Sequence, residues 1–515
     1  MTTPIPQPPG VPLLGNIFDV NPNNTWASLK KLAEKYGEIF QITVLGKTLV
    51  FVAGVALAEE LCDERRFRKF VGGPIVEIRH AVHDSLFTAF PHEEAGSWGV
   101  AHRIIAPQLS PDVVAANMFD AMRDATAALV EKWTAARRDG DPHVPTAAAA
   151  AAAKVVSPLA DLNRLTLEVT TRTLYGQTLS NSSSGGGGGG SDDAESEPPH
   201  PMVQAMEDAT SEAMKRPTRP RILNWLFYGG KFQRATDAMR AYAAEIVRNR
   251  RQQEQEEGED EVANPSSAAG DNHDLLWALM HGADPQTGRR LTDEQVIDEV
   301  VTMPIGSATA PGLLSSALHY LAANPHVVAK ARRELDAVVG VGGERPLLKR
   351  EHLPRLKYVE AVLRESLRLT FPAPGFNIEP IPREGPDGKS PVLLAGGKYA
   401  VAHDQPMIIV LSGVNRDPTV FADPDRFDPD RMMAGEEAFE RLPAGATRWF
   451  GNGRRECIGR HWAWQFSFVV LATLLREVDL ETADADHLAG GELRQDGWFC
   501  LRPVDFYLKV RPRAD

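Results

Sequence analysis

The chain has 515 residues, 43% hydrophobic and 24% charged, with 69 acidic against 56 basic side chains and a net charge of −13. So acidic a balance argues against nucleic acid as a partner, which would call for a basic face, and three cysteines are too few for a disulfide framework, which points to a reducing, cytoplasmic compartment. Length alone suggests about three domains of roughly 150 residues, although catalytic units of this size also exist as one body with a large core.

No apolar run reaches the ~20 residues of a membrane helix; the best, Phe466 to Leu475, reads as a buried core helix. No signal peptide is seen, so an unanchored, soluble chain is expected. After the proline-rich opening from Pro4 to Asn16, apolar residues between Trp26 and Tyr36 recur at helical spacing. Glu38 to Leu45 and Thr48 to Ala53 then alternate about Gly46 and Lys47, which predicts a helix followed by a hairpin. Trp98 and His102, four residues apart, share a helix face and carry N–H donors that can reach one acceptor. Ala147 to Ala153, the tract Ser182 to Ser191 with Asp192, Asp193 and Glu195 behind it, and the acidic run Gln252 to Asn272 are low in complexity. Such segments bury too little apolar surface to offset the cost of ordering, so disordered surface inserts are expected near 143–154, 180–198 and 251–273 within one domain spanning 1–515.

Thr292-Asp-Glu-Gln295 is a capping-box pattern, with threonine and glutamine satisfying each other's backbone N–H groups, and predicts a long helix running past Gly306, Ser307, Ala308 and Thr309 towards Asn324. Pro304 and Pro311 fall inside it. Each removes a rung of the helix, leaving the carbonyls of Val300 and Ser307 free, and each adds a kink at a cost of roughly 3 kcal/mol if uncompensated. Further on, Glu365 and Arg368 stand side by side at i, i+3, and Phe427-Asp-Pro-Asp-Arg431 follows.

The stretch from Phe450 to Gly459, Phe-Gly-Asn-Gly-Arg-Arg-Glu-Cys-Ile-Gly, holds Cys457. Gly451, Gly453 and Gly459 let the backbone wrap the sulfur and aim peptide N–H groups at it. Arg454 and Arg455 are expected to favour the thiolate, the form that binds metal. A zinc or iron–sulfur site needs about four convergent ligands, and no CxxC or HxxxH spacing occurs nearby. One axial thiolate on a haem iron is the economical reading.

The loop resembles the haem-binding signature of the cytochrome P-450 family, F-G-x-G-x-R-x-C-x-G, matched at every fixed position. The resemblance implies a mostly helical fold with a small β-region, of the α+β class, arranged as a triangular helical prism around a buried haem b. It makes Cys457 the metal ligand and Phe450, Gly451, Arg455, Trp98 and His102 the cofactor contacts, the last three towards haem propionates. In the long helix, the family pattern of small residue, glycine, any residue, acid and threonine is met by Gly306 and Thr309. Ala308 replaces the acid, and Ile305 replaces the small residue that faces the iron. Gly306, Ser307 and Thr309 are the candidate catalytic residues, with the Ser307 carbonyl, the Thr309 hydroxyl and ordered water expected to supply the proton path. Glu365, Arg368 and Arg431 match the family's buried glutamate–arginine–arginine cluster and take a structural role.

The opening of the chain resembles soluble, self-sufficient fatty-acid hydroxylases of the family, whose haem domain is fused to a flavin reductase. By that likeness Lys47 would hold a substrate carboxylate, with Phe51 in place of a tyrosine. Phe87, Ile305, Ala308, Ala373 and Phe499, the last in the run Trp498-Phe499-Cys500, would complete the substrate pocket. The implied function is haem-dependent insertion of one atom of dioxygen into an apolar substrate, with fatty-acid hydroxylation favoured. The thiolate pushes electron density to iron and so favours cleavage of dioxygen. NADPH, FAD and FMN would act only through a reductase, fused or docking near Arg454 and Arg460. Other readings from the family remain: a nitric oxide reductase, suggested by the acid-free Ser-Ala-Thr segment, a fatty-hydroperoxide isomerase or dehydratase, or a non-catalytic haem-binding protein.

Overall fold

In the computed structural model, Asn24 caps the first helix, its side chain accepting the Ala27 N–H at 3.1 Å, and Gly37 ends the helix at φ +86°. The structure describes residues 2–21, 24–44, 46–90, 96–135, 153–179, 199–263, 274–341, 346–483, 493–497 and 499–514. The expected inserts near 143–154 and 180–198 lie almost wholly outside the described residues, and Trp498 lies outside them. Two compact units result, each assembled from separated stretches: one from Met1–Gly72, Gly312–Arg460 and Leu480–Phe506, the other from Gly73–Pro311, His461–Asp479 and Tyr507–Asp515.

In the first unit the predicted helix and hairpin form. Helix Thr25–Tyr36 turns Leu29, Leu32 and Ala33 inward onto Phe40, Ile42 and Phe51 of the hairpin, so its i, i+3, i+4 apolar positions meet the alternate residues of two strands. The hairpin strands β1 (Ile39–Val44) and β2 (Lys47–Val52) open a five-stranded sheet with β3 (Phe67–Lys69), β4 (Gly375–Pro380) and β5 (Met407–Val410), in the order β1-β2-β5-β4-β3. Only β2 and β5 are parallel, with Val50 opposite Met407; the other pairs are antiparallel. Gly375 permits the close approach of β4 to β5, since a Cβ there would collide with the Ile409 carbonyl oxygen.

Helix Lys357–Leu369 buries almost every residue from Tyr358 onward. Arg368 and Glu365 are both fully buried and pair at 2.7 Å, and the Arg368 guanidinium also donates to the carbonyls of Asn415, Pro424 and Arg426. Glu365 accepts the Asp428 N–H at 2.9 Å, and Arg431 approaches it at 3.4 Å. One ion pair therefore ties the helix to a long irregular segment whose backbone groups would otherwise be orphaned.

The second unit is helical. Helix Pro158–Tyr175 packs beside the long C-terminal helix, where the Trp462 indole donates to the Thr173 hydroxyl at 2.9 Å. Helix Gly229–Ala263 corrects one expectation: it runs through most of the acidic segment read as a disordered insert near 251–273. Gln and Glu are good helix formers. Gln252 bonds Glu256 one turn on at 3.0 Å, and the Glu254 carboxylate reaches the His281 ring at 3.1 Å. Among the described residues no helix is long and apolar enough to cross a membrane.

Candidate functional site

In the first unit the loop around Cys457 is built on left-handed turns at Gly451 (φ +85°) and Gly453 (φ +65°). A Cβ on Gly453 would collide with the Glu64 carboxylate, which accepts the Arg454 N–H at 2.8 Å. Asn452 reaches the Cys62 carbonyl at 2.7 Å, and the Cys457 N–H closes the loop on the Phe450 carbonyl at 2.8 Å.

The Cys457 side chain keeps an exposed face, yet the protein atoms around it desolvate the sulfur and push the thiol pKa up. The Gly459 N–H bonded to the sulfur pulls the other way, as do the charges of Lys69 and Arg460, while Glu456 adds to the rise. Lys69 and Arg460 are thus cations that favour the thiolate. Arg454 is exposed, and Arg460 is itself paired with Glu456 at 3.1 Å.

In the second unit the capping box forms as expected, Thr292 accepting the Gln295 N–H at 3.3 Å and Gln295 accepting the Thr292 N–H at 2.9 Å. Helix Asp293–Ser307 then ends, Ala308 forms a turn, and helix Thr309–Ala323 resumes, so the interruption falls between the two prolines. The Val300 carbonyl, expected to be left free by Pro304, is not free. The buried Tyr175 hydroxyl donates to it at 2.9 Å, which offsets the lost rung. Tyr175→Phe removes that donor and is expected to cost about 1–3 kcal/mol of stability, read as a lower thermal unfolding midpoint; an unchanged midpoint would mean that the carbonyl finds another donor.

Around the interruption, the Thr309 hydroxyl donates to the Gly306 carbonyl at 3.1 Å. The Ser307 hydroxyl donates to the Pro304 carbonyl at 3.2 Å and accepts from Thr170 at 3.0 Å. Gly306 is exposed, Ser307, Ala308 and Thr309 are half-buried, and Ile305 is buried. Two helical turns before Gly306, Glu299 is buried, accepts the Leu86 N–H at 3.0 Å through one oxygen and leaves the other without a partner among the described residues. Desolvation, reinforced by Asp298, pushes its pKa up to about 8. Trp98 and His102 share helix Ser97–Ile105 with their rings stacked at 4.7 Å, the indole buried and the imidazole half-buried.

A model of the family described as Cytochrome P450 matches residues 5–509. The chain belongs to the cytochrome P450 family. Among its relatives are the bifunctional cytochrome P450/NADPH–P450 reductase ascE of Acremonium egyptiacum, 35% identical over 100% of this chain and 44% of the relative, and the self-sufficient cytochrome P450 monooxygenase CYP505E5 of Aspergillus kawachii, 35% identical over 99% of this chain and 43% of the relative. The chain spans less than half the length of these curated relatives.

As a P450 the chain requires a place for haem, and its residues fit one. Cys457 is an exposed residue whose sulfur already accepts a backbone N–H, while half-buried Phe450, Gly451 and Arg455 flank it in the same loop. The other cysteines are poorer ligands, since burial raises the thiols of Cys62 to about 11 and Cys500 to about 12. Another group of ligand-type side chains, His83, Glu294 and Asp298, is held by Arg240, which lies 2.6 Å from each carboxylate and supplies the compensating charge. Lys47 is exposed at the start of β2, Ala373 is exposed before β4, and Phe87 and Phe499 are half-buried. Phe51 is buried in the core beneath the hairpin and stacks on Phe40 at 5.1 Å.

Tyr175, Glu299, Lys69 and Glu64 escaped the sequence reading. Each acts on a segment remote in the chain, and none belongs to a local motif that would announce it.

Proposed function

We propose that this chain is the haem portion of a monooxygenase that inserts one atom of dioxygen into an apolar, fatty-acid-like substrate, using electrons passed from NADPH through a flavin reductase. The observation that carries the reading is the Cys457 loop, with an exposed cysteine whose sulfur accepts the Gly459 N–H and whose own N–H closes on the Phe450 carbonyl. The relative named a bifunctional cytochrome P450/NADPH–P450 reductase, of which this chain covers 44%, supports a reductase on the same polypeptide.

Bound haem supplies the activation of dioxygen. Within the protein, Cys457 would hold the iron, and Arg455, Trp98 and His102 would orient the propionates. The hydroxyl groups of Thr309 and Ser307, beside the interrupted helix, would hold protons and water near the reacting centre in place of the carboxylate that Ala308 lacks. Lys47 would attract the carboxylate of an acid substrate. The whole chain would act as one haem-binding body.

The test supplies NADPH, a surrogate flavin reductase and lauric acid to the purified haem-loaded chain. The expected result is oxygen-dependent hydroxylated product, lost in Cys457→Ser. Reduction of nitric oxide with NADH alone, or turnover of a fatty hydroperoxide without reductant, in place of hydroxylation would overturn the reading.

A further inference from the structure

Glu299 takes no part in the proposed chemistry, yet it sits where a carboxyl is costly. It belongs to helix Asp293–Ser307 and is 2% exposed. One of its oxygens accepts the Leu86 N–H at 3.0 Å, and the other has no partner among the described residues. Ser85, next to Leu86, is 1% exposed, and its hydroxyl likewise has no partner among the described residues. A carboxyl on the helix and the segment that covers it therefore meet through a backbone N–H, with an unmatched polar atom on each side. Buried polar groups are rarely left so.

The covering segment is a tied turn. The Ser85 carbonyl accepts the N–H groups of Thr88 and Ala89 at 3.1 and 2.9 Å, the Thr88 hydroxyl donates to the His83 carbonyl at 2.6 Å, and the Arg79 guanidinium donates to the Thr88 carbonyl at 2.7 Å. His83 turns the chain at φ +42°, a conformation that costs a residue with a side chain. A turn bonded in this way moves as a unit, so the link from Leu86 to Glu299 also places the next residue, Phe87.

Neighbouring charges are matched elsewhere. Arg240 of helix Gly229–Ala263 lies 2.6 Å from both Asp298 and Glu294, and His83, after helix Pro74–Val82, meets Asp298 at 3.0 Å. Glu77 pairs with Arg216, Asp84 with Arg79, and His281 of helix Leu275–His281 with Glu254. Tyr175 of helix Pro158–Tyr175 donates to the Val300 carbonyl. The charge that bears on Glu299 is that of Asp298, and it opposes ionisation as burial does.

We propose that Glu299 is a positioning residue that latches the Ser85–Phe87 segment to its helix, closed while the carboxyl is protonated and released when water reaches the ionised group. In the closed form the carboxyl keeps its proton up to about pH 8, whereas lifting the segment returns it towards an ordinary 4.5. Ionisation therefore favours opening, by about 10-fold per pH unit between these values and no further above the higher one. The Leu86 N–H favours the ionised form and works against this, but burial outweighs it. The effect on substrate rests on the reading of Phe87 as a pocket residue; the latch itself does not.

The experiment follows amide hydrogen exchange of the whole haem-loaded chain below and above pH 8. In peptides spanning His83–Ala89, once the intrinsic rise of exchange with pH is removed, the parent should exchange ~10-fold faster for each pH unit gained and level off above pH 8. Glu299→Gln keeps an oxygen for Leu86 and cannot ionise, so its exchange should match the parent's at low pH and show no such rise. Glu299→Leu offers no acceptor and should exchange ~10-fold or more faster at every pH. Peptides over the capping box at Thr292 should be unaffected in all three, which separates a local latch from general loosening. Spectral titration with laurate should give a dissociation constant that rises over the same pH range in the parent and not in Glu299→Gln. A parent without the added pH dependence, or a glutamine variant that retains it, overturns the latch. Exchange as expected with a laurate affinity indifferent to pH overturns Phe87 as the latch's target, and no laurate binding at any pH overturns the proposed substrate instead.

Discussion

Arg368→Ala is expected to destabilise the chain by about 3–5 kcal/mol, because it takes from the fully buried Glu365 its 2.7 Å partner and leaves only Arg431, at 3.4 Å, to offset the charge. The loss is not confined to the ion pair. The same guanidinium donates to the carbonyls of Asn415, Pro424 and Arg426, and its central carbon lies 4.9 Å from the Phe421 ring centre. Removing it takes the donor from three backbone acceptors as well as from the carboxylate. Arg368→Lys keeps the charge but replaces a planar fork of donors by a single ammonium, so it should recover only part of the loss. Chemical denaturation of the parent and both variants gives the order parent, lysine, alanine. If alanine matched the parent, the cluster would contribute nothing to holding the irregular segment in place.

Glu299→Gln is expected to stabilise the protein in a pH-dependent manner. Burial raises the folded-state pKa of Glu299 from an ordinary 4.5 to about 8. Below pH 4.5 the group is protonated whether the chain is folded or not, and there is no penalty. Between these values the unfolded chain gives up the proton while the folded chain keeps it, so stability falls by about 1.4 kcal/mol per pH unit and levels off above the folded pKa. The total is on the order of 4–5 kcal/mol. Glutamine is neutral throughout and keeps an oxygen for the Leu86 N–H. The variant and the parent should therefore unfold at similar temperatures near pH 4.5, with the variant progressively the more stable towards pH 8. A difference that does not grow with pH would show that Glu299 is ionised in the fold.

The motifs legible in the sequence are those whose geometry closes within a few residues. The capping box at Thr292 and Gln295, the hairpin about Gly46, the i, i+3 pair of Glu365 and Arg368 and the glycine turns before Cys457 each form among near neighbours. The acidic segment after Gln252 misled: its composition is that of a disordered tract, while its helix propensity and the His281 contact favour order.

By itself the sequence determined the haem-thiolate family, through a ten-residue loop that few other chemistries could explain, and the start and kinked character of the helix bearing Thr309. Only the tertiary structure decided how the strained groups are satisfied. Tyr175 reaches Val300 across 125 residues, and Lys69, far from the loop in sequence, acts on Cys457. The physical reason is common to both. A lost helical rung or a buried charge must find a partner wherever packing brings one, and that partner's place in the chain carries no local mark.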